Sequence, residues 1–494
     1  MADPAARLGA VDAVRRDLPQ LTITDDADLV RRRSIDRSAM LGPIMASEVG
    51  GALADAVAVP DDEAQVMELV AACARHRVPV VPRGAGTSNF GQTIPLQGGI
   101  VVDLTRLRGV LHVDAGSVRV RAGTLLPEID ATAAPLGREL RIHPSSKRMS
   151  TAAGFVIGGH GGVGSIRHGG LADLGNVAGL RVVTIEETPR VVELRGADTG
   201  LVQFSFGMTG IVTEVEFPLT VAYAWRDVAM SFPSLSDAMR FGGDVTLADG
   251  IDVKNCMPMD PVMASYLTPL ADRFPAGQAG ALCMVAPHSV EALADLAARR
   301  GGELTLDVAV GEGPRGFPGY EYTWGHAMWW LRKQQPTLAE VLFLLPGADP
   351  VGTLERLLQR IGEPAWVSST CQRFAGRPAP QVALGVDGSV PGRVAEVSAA
   401  AEALDCLVVN IHQAKLGASS IRTFGAEQRA FKADVDPHGL CNPGHLDDGG
   451  AGEPAPTGDR ADGSEAGDVV ASGWSSRWDG DDPSAGSGAG GTFG

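Results

Sequence analysis

Lysine is scarce in this chain of 494 residues, supplying only five of its 42 basic side chains, and the formal net charge is −17. Nucleic-acid binding is excluded, because neutralising phosphates takes clustered Lys and Arg. Long apolar runs are also missing. Apolar residues make up 44% of the chain, yet no window approaches the roughly 18 uninterrupted positions of a membrane-spanning helix, so no membrane span is expected. The six cysteines, Cys73, Cys256, Cys283, Cys371, Cys406 and Cys441, lie far apart with no CxxC pair. That spacing suggests neither a disulfide framework nor a zinc ribbon and fits a reducing compartment. The opening MADPAARLGAVDAVRRDLPQL carries acids and arginines in place of a signal peptide's apolar core, so a cytoplasmic protein is expected. Aromatic residues are only 5% of the chain, which makes any local crowding of them informative.

The length suggests two or three domains with sizeable cores. Glycine (63 residues) and proline (32 residues) are unevenly spread. The last 48 residues hold ten carboxylates against two arginines, so −8 of the net charge lies there and −9 before it. With few apolar residues to offset the entropy of ordering, residues 447–494 are expected to form a disordered acidic, glycine-rich tail. By contrast, Gly154 to Gly170 is interleaved with Phe155, Val156, Ile157, Val163 and Ile166, which places those glycines inside folded structure.

In EAQVMELVAACARH, Val66, Leu69, Val70 and Cys73 fall at i, i+3, i+4 and i+7 behind an acidic first turn, which predicts an amphipathic helix. Strand-like runs follow in VPVVPRGAGTSN, GGIVVDLTRL, VLHVDAGSVRVRAG and LRVVTIEETPRVVEL. Between Leu219 and Ala426, helical stretches such as SVEALADLAARRGG and DPVGTLERLLQRIG alternate with strands such as GALCMVAP, ELTLDVAV and CLVVNIH. The class is α+β. The expected organisation is an N-terminal segment (1–44), a glycine-loop domain (45–220), a second α+β domain (221–425), a returning C-terminal segment (426–446) and the tail.

Four small-residue segments carry the chemistry. Arg83-Gly84-Ala85-Gly86-Thr87-Ser88-Asn89 follows a strand and can present main-chain N–H groups to phosphate oxygens, although a glycine-rich turn without a ligand reads the same way. Its spacing matches neither GxGxxG opening a helix nor GxxxxGK[ST]. Some sixty residues later come Ile142 to Ser146, then Ser150, Thr151, Ala152, Ala153 and Gly154, then Gly158, Gly159, His160, Gly161 and Gly162, where backbone can pass close to a flat ligand. A third piece, Phe206 to Val215, reads as a strand broken by small residues and then resumed. A fourth, Asp436 to Gly444, contains Asn442-Pro443-Gly444.

In order and spacing these four pieces resemble the vanillyl-alcohol-oxidase and p-cresol-methylhydroxylase (PCMH) type of FAD-binding fold, the family that also contains the glycolate oxidase and D-lactate dehydrogenase flavoproteins. The resemblance covers roughly residues 45 to 220 and 430 to 446. It implies a two-lobed PCMH-type FAD-binding domain followed by an α+β substrate domain with an antiparallel sheet. It also implies that Arg83, Gly84, Ala85, Gly86, Thr87, Ser88 and Asn89 hold the pyrophosphate. Pro144, Ser145, Ser150, Thr151, Ala153 and Gly154 would then lie near the flavin ring and phosphates, with Gly158, Gly161 and Gly162 along the cofactor. Ile211 and Val212 would clamp the adenosine end, and Asn442 would approach the isoalloxazine. Members with covalent flavin present a histidine where this chain has Thr87, Ser88 and Asn89, and some add a cysteine where it has Thr151-Ala152-Ala153, so the FAD is expected to be noncovalent. No metal site is expected, because the histidine-rich cluster typical of the hydroxy-acid branch cannot be found in the sequence.

Three of seven tryptophans, two of four tyrosines and His326 crowd into Gly319 to Trp330. They suit either the wall of a pocket for a flat organic substrate or a core or dimer interface. His412 ends the run VVNIH and is a candidate general base, with Tyr322 as an alternative and Lys415 as a possible carboxylate anchor; a hydrogen-bonded structural histidine at a strand end fits His412 equally. His143 and His160 fall within the flavin loops. Arg373 suits either an anionic substrate or solvent. The expected function is FAD-dependent oxidation of a C–H next to oxygen or nitrogen in a small organic molecule, with electrons passed to O₂ or another acceptor. The alternatives are an NAD(P)H-fed reductase of a C=C bond and a catalytically decayed flavin-binding protein that works through interactions.

Overall fold

The computed structural model describes residues 4–38, 43–173, 175–347, 349–362, 365–409, 411–417 and 424–446, so the acidic tail expected at 447–494 lies outside the described residues. The helix predicted from the period of its apolar residues spans Glu63–His76. The Asp62 carboxylate accepts the Gln65 N–H at 2.9 Å to start it, and Arg77 stops it in the left-handed region at φ 54°. Val66, Leu69, Val70 and Cys73 are fully buried on its inner face. Just beyond it, strand Val80–Arg83 runs parallel to Ile100–Asp103, which also pairs in parallel with Ala56–Ala58; Ile23–Thr24 closes this sheet antiparallel. All residues of Val80–Arg83 and Ile100–Asp103 are buried, as parallel strands covered on both faces require.

Among the described residues a second sheet runs Val110–Val113, Ser117–Arg121, Ile211–Val221, Gly179–Val183 and Val191–Arg195, with Arg138–Leu140 on the far end of Ile211–Val221. The helix 63–76 is tied to this sheet through Glu63, which accepts from Arg181 Nε at 2.7 Å and from Thr213 Oγ1 at 2.6 Å. The Phe206 to Val215 piece differs from the sequence reading. No strand leads into it: a 3₁₀ turn at Gly196–Leu201 and an irregular loop come first, and strand structure begins only at Ile211. The loop needs left-handed backbone at Phe204, Phe206 and Gly207 (φ 51°, 54° and 70°), which a strand cannot supply.

The third sheet has eight strands among the described residues: Glu303–Ala309, Arg226–Phe232, Ala279–Val285, Val253–Met259, Trp366–Thr370, Gln381–Asp387, Leu338–Leu344 and Leu407–Val409. Every registered pairing within it is antiparallel. Side chains alternate across it. On Leu338–Leu344, Ala339, Val341 and Phe343 pack with helices Pro350–Ile361 and Arg393–Glu402, whereas Leu338, Glu340 and Leu342 take the opposite face. After helix Ala426–Val435 the chain returns to the first sheet. There the Val80 N–H donates to Leu440 O at 2.9 Å and the Asn442 N–H donates to Val80 O at 2.8 Å.

Candidate functional site

The Gly84 to Asn89 loop leaves the carboxyl end of strand Val80–Arg83, the edge where open parallel sheets bind ligands. Arg83, only 5% exposed, anchors it. Its Nη1 donates to Arg33 O at 3.0 Å, Ile35 O at 2.7 Å and Thr93 Oγ1 at 3.2 Å, and burial pushes the guanidinium pKa down to about 10. Two glycines are obligatory here. A Cβ on Gly84 would collide with Thr151 Oγ1, and Gly86, at φ +70°, lies against the Arg83 guanidinium. Small residues therefore let the first loop and the Ser150 to Gly162 segment come into contact.

Side chains then lock the separated loops together. Thr87 Oγ1 and Ser150 Oγ share a hydrogen bond at 3.2 Å, and Gln92 Nε2 donates to Gly158 O at 2.7 Å. The Phe204 N–H donates to Val156 O at 3.1 Å. Asn442, fully buried, donates through Nδ2 to Gln92 O at 2.8 Å and to Phe206 O at 2.5 Å, joining the third and fourth segments to the stretch just past the first. Buried polar atoms without partners remain on these segments, among them Arg83 Nε, His143 Nε2, Thr151 Oγ1 and Asn442 Oδ1.

These loops line an elongated space, open to solvent, made of two adjoining cavities. One, of about 600 Å³, is lined by Arg83 to Ser88, Gln92, Thr151, Ala153, Gly154, Gly158, Phe206 and Gly207. The other, of about 1060 Å³, shares Thr87, Ser88, Gly154 and Gly158 with the first and continues past Asn89, Pro144, Ser145 and Ser150 to His160, Gly161 and Gly162. Its far wall is Trp324, His326 and Trp329 with Glu340, Leu342, Thr370, Gln381 and Ala383 from the third sheet and Ile411 just beyond the strand Leu407–Val409. The donor set suits a long ligand with anionic and flat aromatic parts. Small-residue backbone and hydroxyls line one end, an unpartnered threonine hydroxyl faces the loops, and aromatic rings stand at the other end.

The aromatic cluster divides between the two roles left open by its sequence. Trp324, His326 and Trp329 line the larger cavity; the His326 and Trp329 rings stack at 4.2 Å, and Trp324 Nε1 donates to Asn255 Oδ1 at 3.1 Å. Trp324 adopts φ 56°, a strained backbone of the kind that collects at functional sites. Tyr320 instead packs edge-on against His143 at 4.8 Å, and Tyr322 is core, its hydroxyl donating to Pro314 O at 3.1 Å. Trp330 turns to Lys333, whose Nζ lies 3.6 Å from the ring centre.

Of the three residues expected to carry catalysis, the structure brings none to the cavity wall. Tyr322 is held in the core, Lys415 is exposed, and His412 Nε2 donates to the Glu340 carbonyl at 2.7 Å behind the strand. Arg373 likewise serves the fold, donating to Ile166 O at 3.2 Å and Thr246 O at 2.8 Å. Ile211 and Val212 are fully buried in the second sheet, opposite Val183 and Val182, and Asn442 acts on the cavity through Gln92 and Phe206. The titratable groups that do line the larger cavity are His160, His326 and Glu340. Burial lowers the pKa of His160, which bonds Gln381 Oε1 through Nε2 at 3.0 Å, and brings that of His326 to about 4. Burial raises Glu340 to about 7, opposed by the charge of Arg332.

Sequence reasoning missed Glu340, Thr370 and Gln381, which come from three different strands. Only Glu340 leaves a local signal: it is the one charged residue in the apolar run Leu338 to Leu345. Among the described residues no group of three or more His, Cys, Asp or Glu is arranged to hold a metal ion, and no helix is long and apolar enough to cross a membrane.

Residues 54–194 match the family model described as an FAD binding domain. Over 169 residues the chain is 31% identical to glycolate oxidase subunit GlcD of Bacillus subtilis (strain 168), covering 32% of this chain and 36% of that protein. It is 28% identical over 221 residues to the mitochondrial D-lactate dehydrogenase (cytochrome) of Arabidopsis thaliana, covering 42% and 38%. The chain thus spans less than half the length of these curated relatives. In fold it is similar to a solved alkyldihydroxyacetonephosphate synthase, with a TM-score of 0.67 at 16% identity over 87% of this chain and 84% of that one. The cofactor of this chain is FAD, and the matched stretch is that of FAD-linked oxidases and dehydrogenases.

Proposed function

We propose that the chain is an FAD-dependent oxidoreductase that removes hydride from a C–H next to oxygen or nitrogen of a small organic substrate. The observation that carries this reading is the continuity of the two cavities, which joins a cradle of small residues to an aromatic chamber of substrate size. In this reading residues 45–220 and 426–446 form the FAD lobe, and 221–425 form the substrate lobe. Gly84 to Asn89, Ser150, Thr151 and Gly154 hold the phosphates, Gly158, Gly161 and Gly162 follow the cofactor, and Pro144 and Ser145 stand beside its ring. Retention is noncovalent: the six cysteines are free and buried, and none lines either cavity. The same free thiols suit the cytoplasm.

When bound, FAD supplies the two-electron acceptor. The chain's own residues do the rest. Trp324 and Trp329 wall the chamber and orient a flat substrate. Burial keeps His160 and His326 neutral and lowers their proton affinity, so either imidazole can hydrogen-bond the substrate at neutral pH without carrying charge. Gln381 holds His160 in place through the bond to its Nε2. His412 holds the main chain of Glu340 and so acts at one remove.

The test is a visible spectrum of the purified protein followed by anaerobic reduction with alcohols, amines, hydroxy acids and nicotinamides. Yellow protein bleached by an alcohol, amine or hydroxy acid supports the reading. Bleaching by NADPH alone would replace it with a reductase of C=C bonds, and protein that stays colourless after incubation with FAD would remove it. Acid precipitation that leaves the colour in the pellet would overturn noncovalent binding.

A further inference from the structure

We infer that the chamber at the third sheet selects a basic amine carried on a flat apolar body, with Glu340 as the group that recognises the cationic nitrogen. The inference rests on the proposed oxidoreductase function and narrows it to one substrate class.

Glu340 occupies an apolar register on Leu338–Leu344, flanked on its own face by Leu338 and Leu342 and paired across the ladder with Gly385. It is 5% exposed and lines the cavity, and no described side chain hydrogen-bonds its carboxylate. A carboxyl held out of water without donors is costly to ionise, and a guest cation removes that cost at close range. The rings of Trp324 and Trp329 share the chamber, and indole faces attract cationic nitrogen more strongly than other aromatic faces do. No lysine or arginine is among the described residues that line this chamber, so a carboxylate or phosphate substrate would meet a carboxyl and neutral walls.

Charged and titratable groups near Glu340 come from several elements. Arg332, on helix Gly325–Arg332, exerts a Coulombic pull but does not line the cavity. His326 on the same helix and His160 on the glycine segment are both shifted toward the neutral form by burial, and His412 hydrogen-bonds the main-chain carbonyl of Glu340. Gln381 and Thr370 are neutral. The preference for a cation therefore follows the protonation of Glu340, and it weakens as the pH falls through the region where that carboxyl gains its proton.

Benzyltrimethylammonium, benzyl alcohol and benzylsulfonate, titrated into the full chain with FAD and followed by tryptophan fluorescence and the flavin absorption band, test this. The ammonium probe should bind about tenfold more tightly than benzyl alcohol at about pH 8.5 and lose most of that preference at about pH 5.5, as expected for one desolvated carboxylate. Glu340→Gln, with its folding checked by the retained flavin spectrum, should lose the preference at both pH values. The wild-type pH series stands without the variant should Glu340→Gln fail to fold. Equal binding of the three probes, tighter binding of the sulfonate, or a preference that survives in Glu340→Gln would overturn the inference. Anaerobic reduction separates the two levels. Bleaching by benzylamine and not by glycolate supports both, bleaching by glycolate alone keeps the oxidoreductase and discards the amine, and colourless protein removes the oxidoreductase whatever the probes do.

Discussion

The two ends of the cleft are built in opposite ways. At the cofactor end, short contiguous stretches of small residues lie against one another, and contacts such as Thr87 to Ser150 and Gln92 to Gly158 hold the loops in register. At the substrate end the wall is gathered from distant positions: Trp324, His326 and Trp329 on one segment, and Glu340, Thr370 and Gln381 on separate strands of one sheet. The first end works through main chain, the second through side chains. Substitutions at the first should therefore remove the cofactor, whereas substitutions at the second should change what the protein acts upon.

Gly158→Val is the sharpest way to break this division. The nearest protein atom to an added Cβ at Gly158 is Gln92 Nε2 at 3.6 Å, so the fold tolerates the side chain while the cleft loses space. The variant should keep its circular dichroism and melting profile and lose FAD affinity by about 100-fold or more, read by fluorescence titration with FAD, since a filled site forfeits both contact and volume. A coloured Gly158→Val would place the cofactor elsewhere.

Next in size is Trp329→Ala at the other end. It removes the ring stacked on His326 and should lower the rate of anaerobic flavin reduction by about tenfold with the flavin spectrum intact, the scale expected for one buried aromatic contact. Loss of flavin in this variant would erase the distinction between the two ends.

Glu340→Gln adds a stability effect with a definite pH signature. In the folded chain Glu340 holds its proton up to about pH 7 because it is buried, so its contribution to stability is complete at low pH and drains away as pH rises from the ordinary carboxyl range through about 7. Relative to wild type, the glutamine variant should gain about 1 to 3 kcal/mol across that window and nothing below it, measured by urea unfolding at several pH values. A gain that does not depend on pH would mean that Glu340 is hydrated in the folded protein. The smallest effect is expected at Lys415, exposed and off the cavity wall, where Lys415→Met should leave flavin reduction within about twofold of wild type.

The cofactor end was legible in the sequence because its function depends on backbone, and backbone requirements are written locally. Gly84 and Gly86 are glycines since a Cβ would strike Thr151 or Arg83, and that constraint survives as a visible motif. The helix Glu63–His76 was legible for the same kind of reason, its Asp62 cap and apolar spacing both lying within the segment. The role of Arg83 was less so. The guanidinium lines the smaller cavity and commits Nη1 to Arg33 O, Ile35 O and Thr93 Oγ1, partners that no local pattern announces, while its Nε stays buried without one.

At the catalytic end the sequence pointed to His412, Tyr322 and Lys415, types that suit the chemistry, without information on where each side chain turns. Strand alternation decided the matter for Glu340, whose face is shared with Leu342 and the cavity, and hydrogen bonding decided it for His412 and Tyr322, which donate to the carbonyls of Glu340 and Pro314 and do not line the chamber.

By itself, then, the chain's order of residues determined which stretches would be small, flexible and able to approach a long ligand, because steric permission is a property of each residue and its immediate neighbours. Which polar groups share a chamber was settled only when the strands 338–344, 366–370 and 381–387 paired. Sheet register brings residues dozens of positions apart to within a few ångströms, and burial there changes the proton affinity of a carboxyl that in an extended chain would be ordinary.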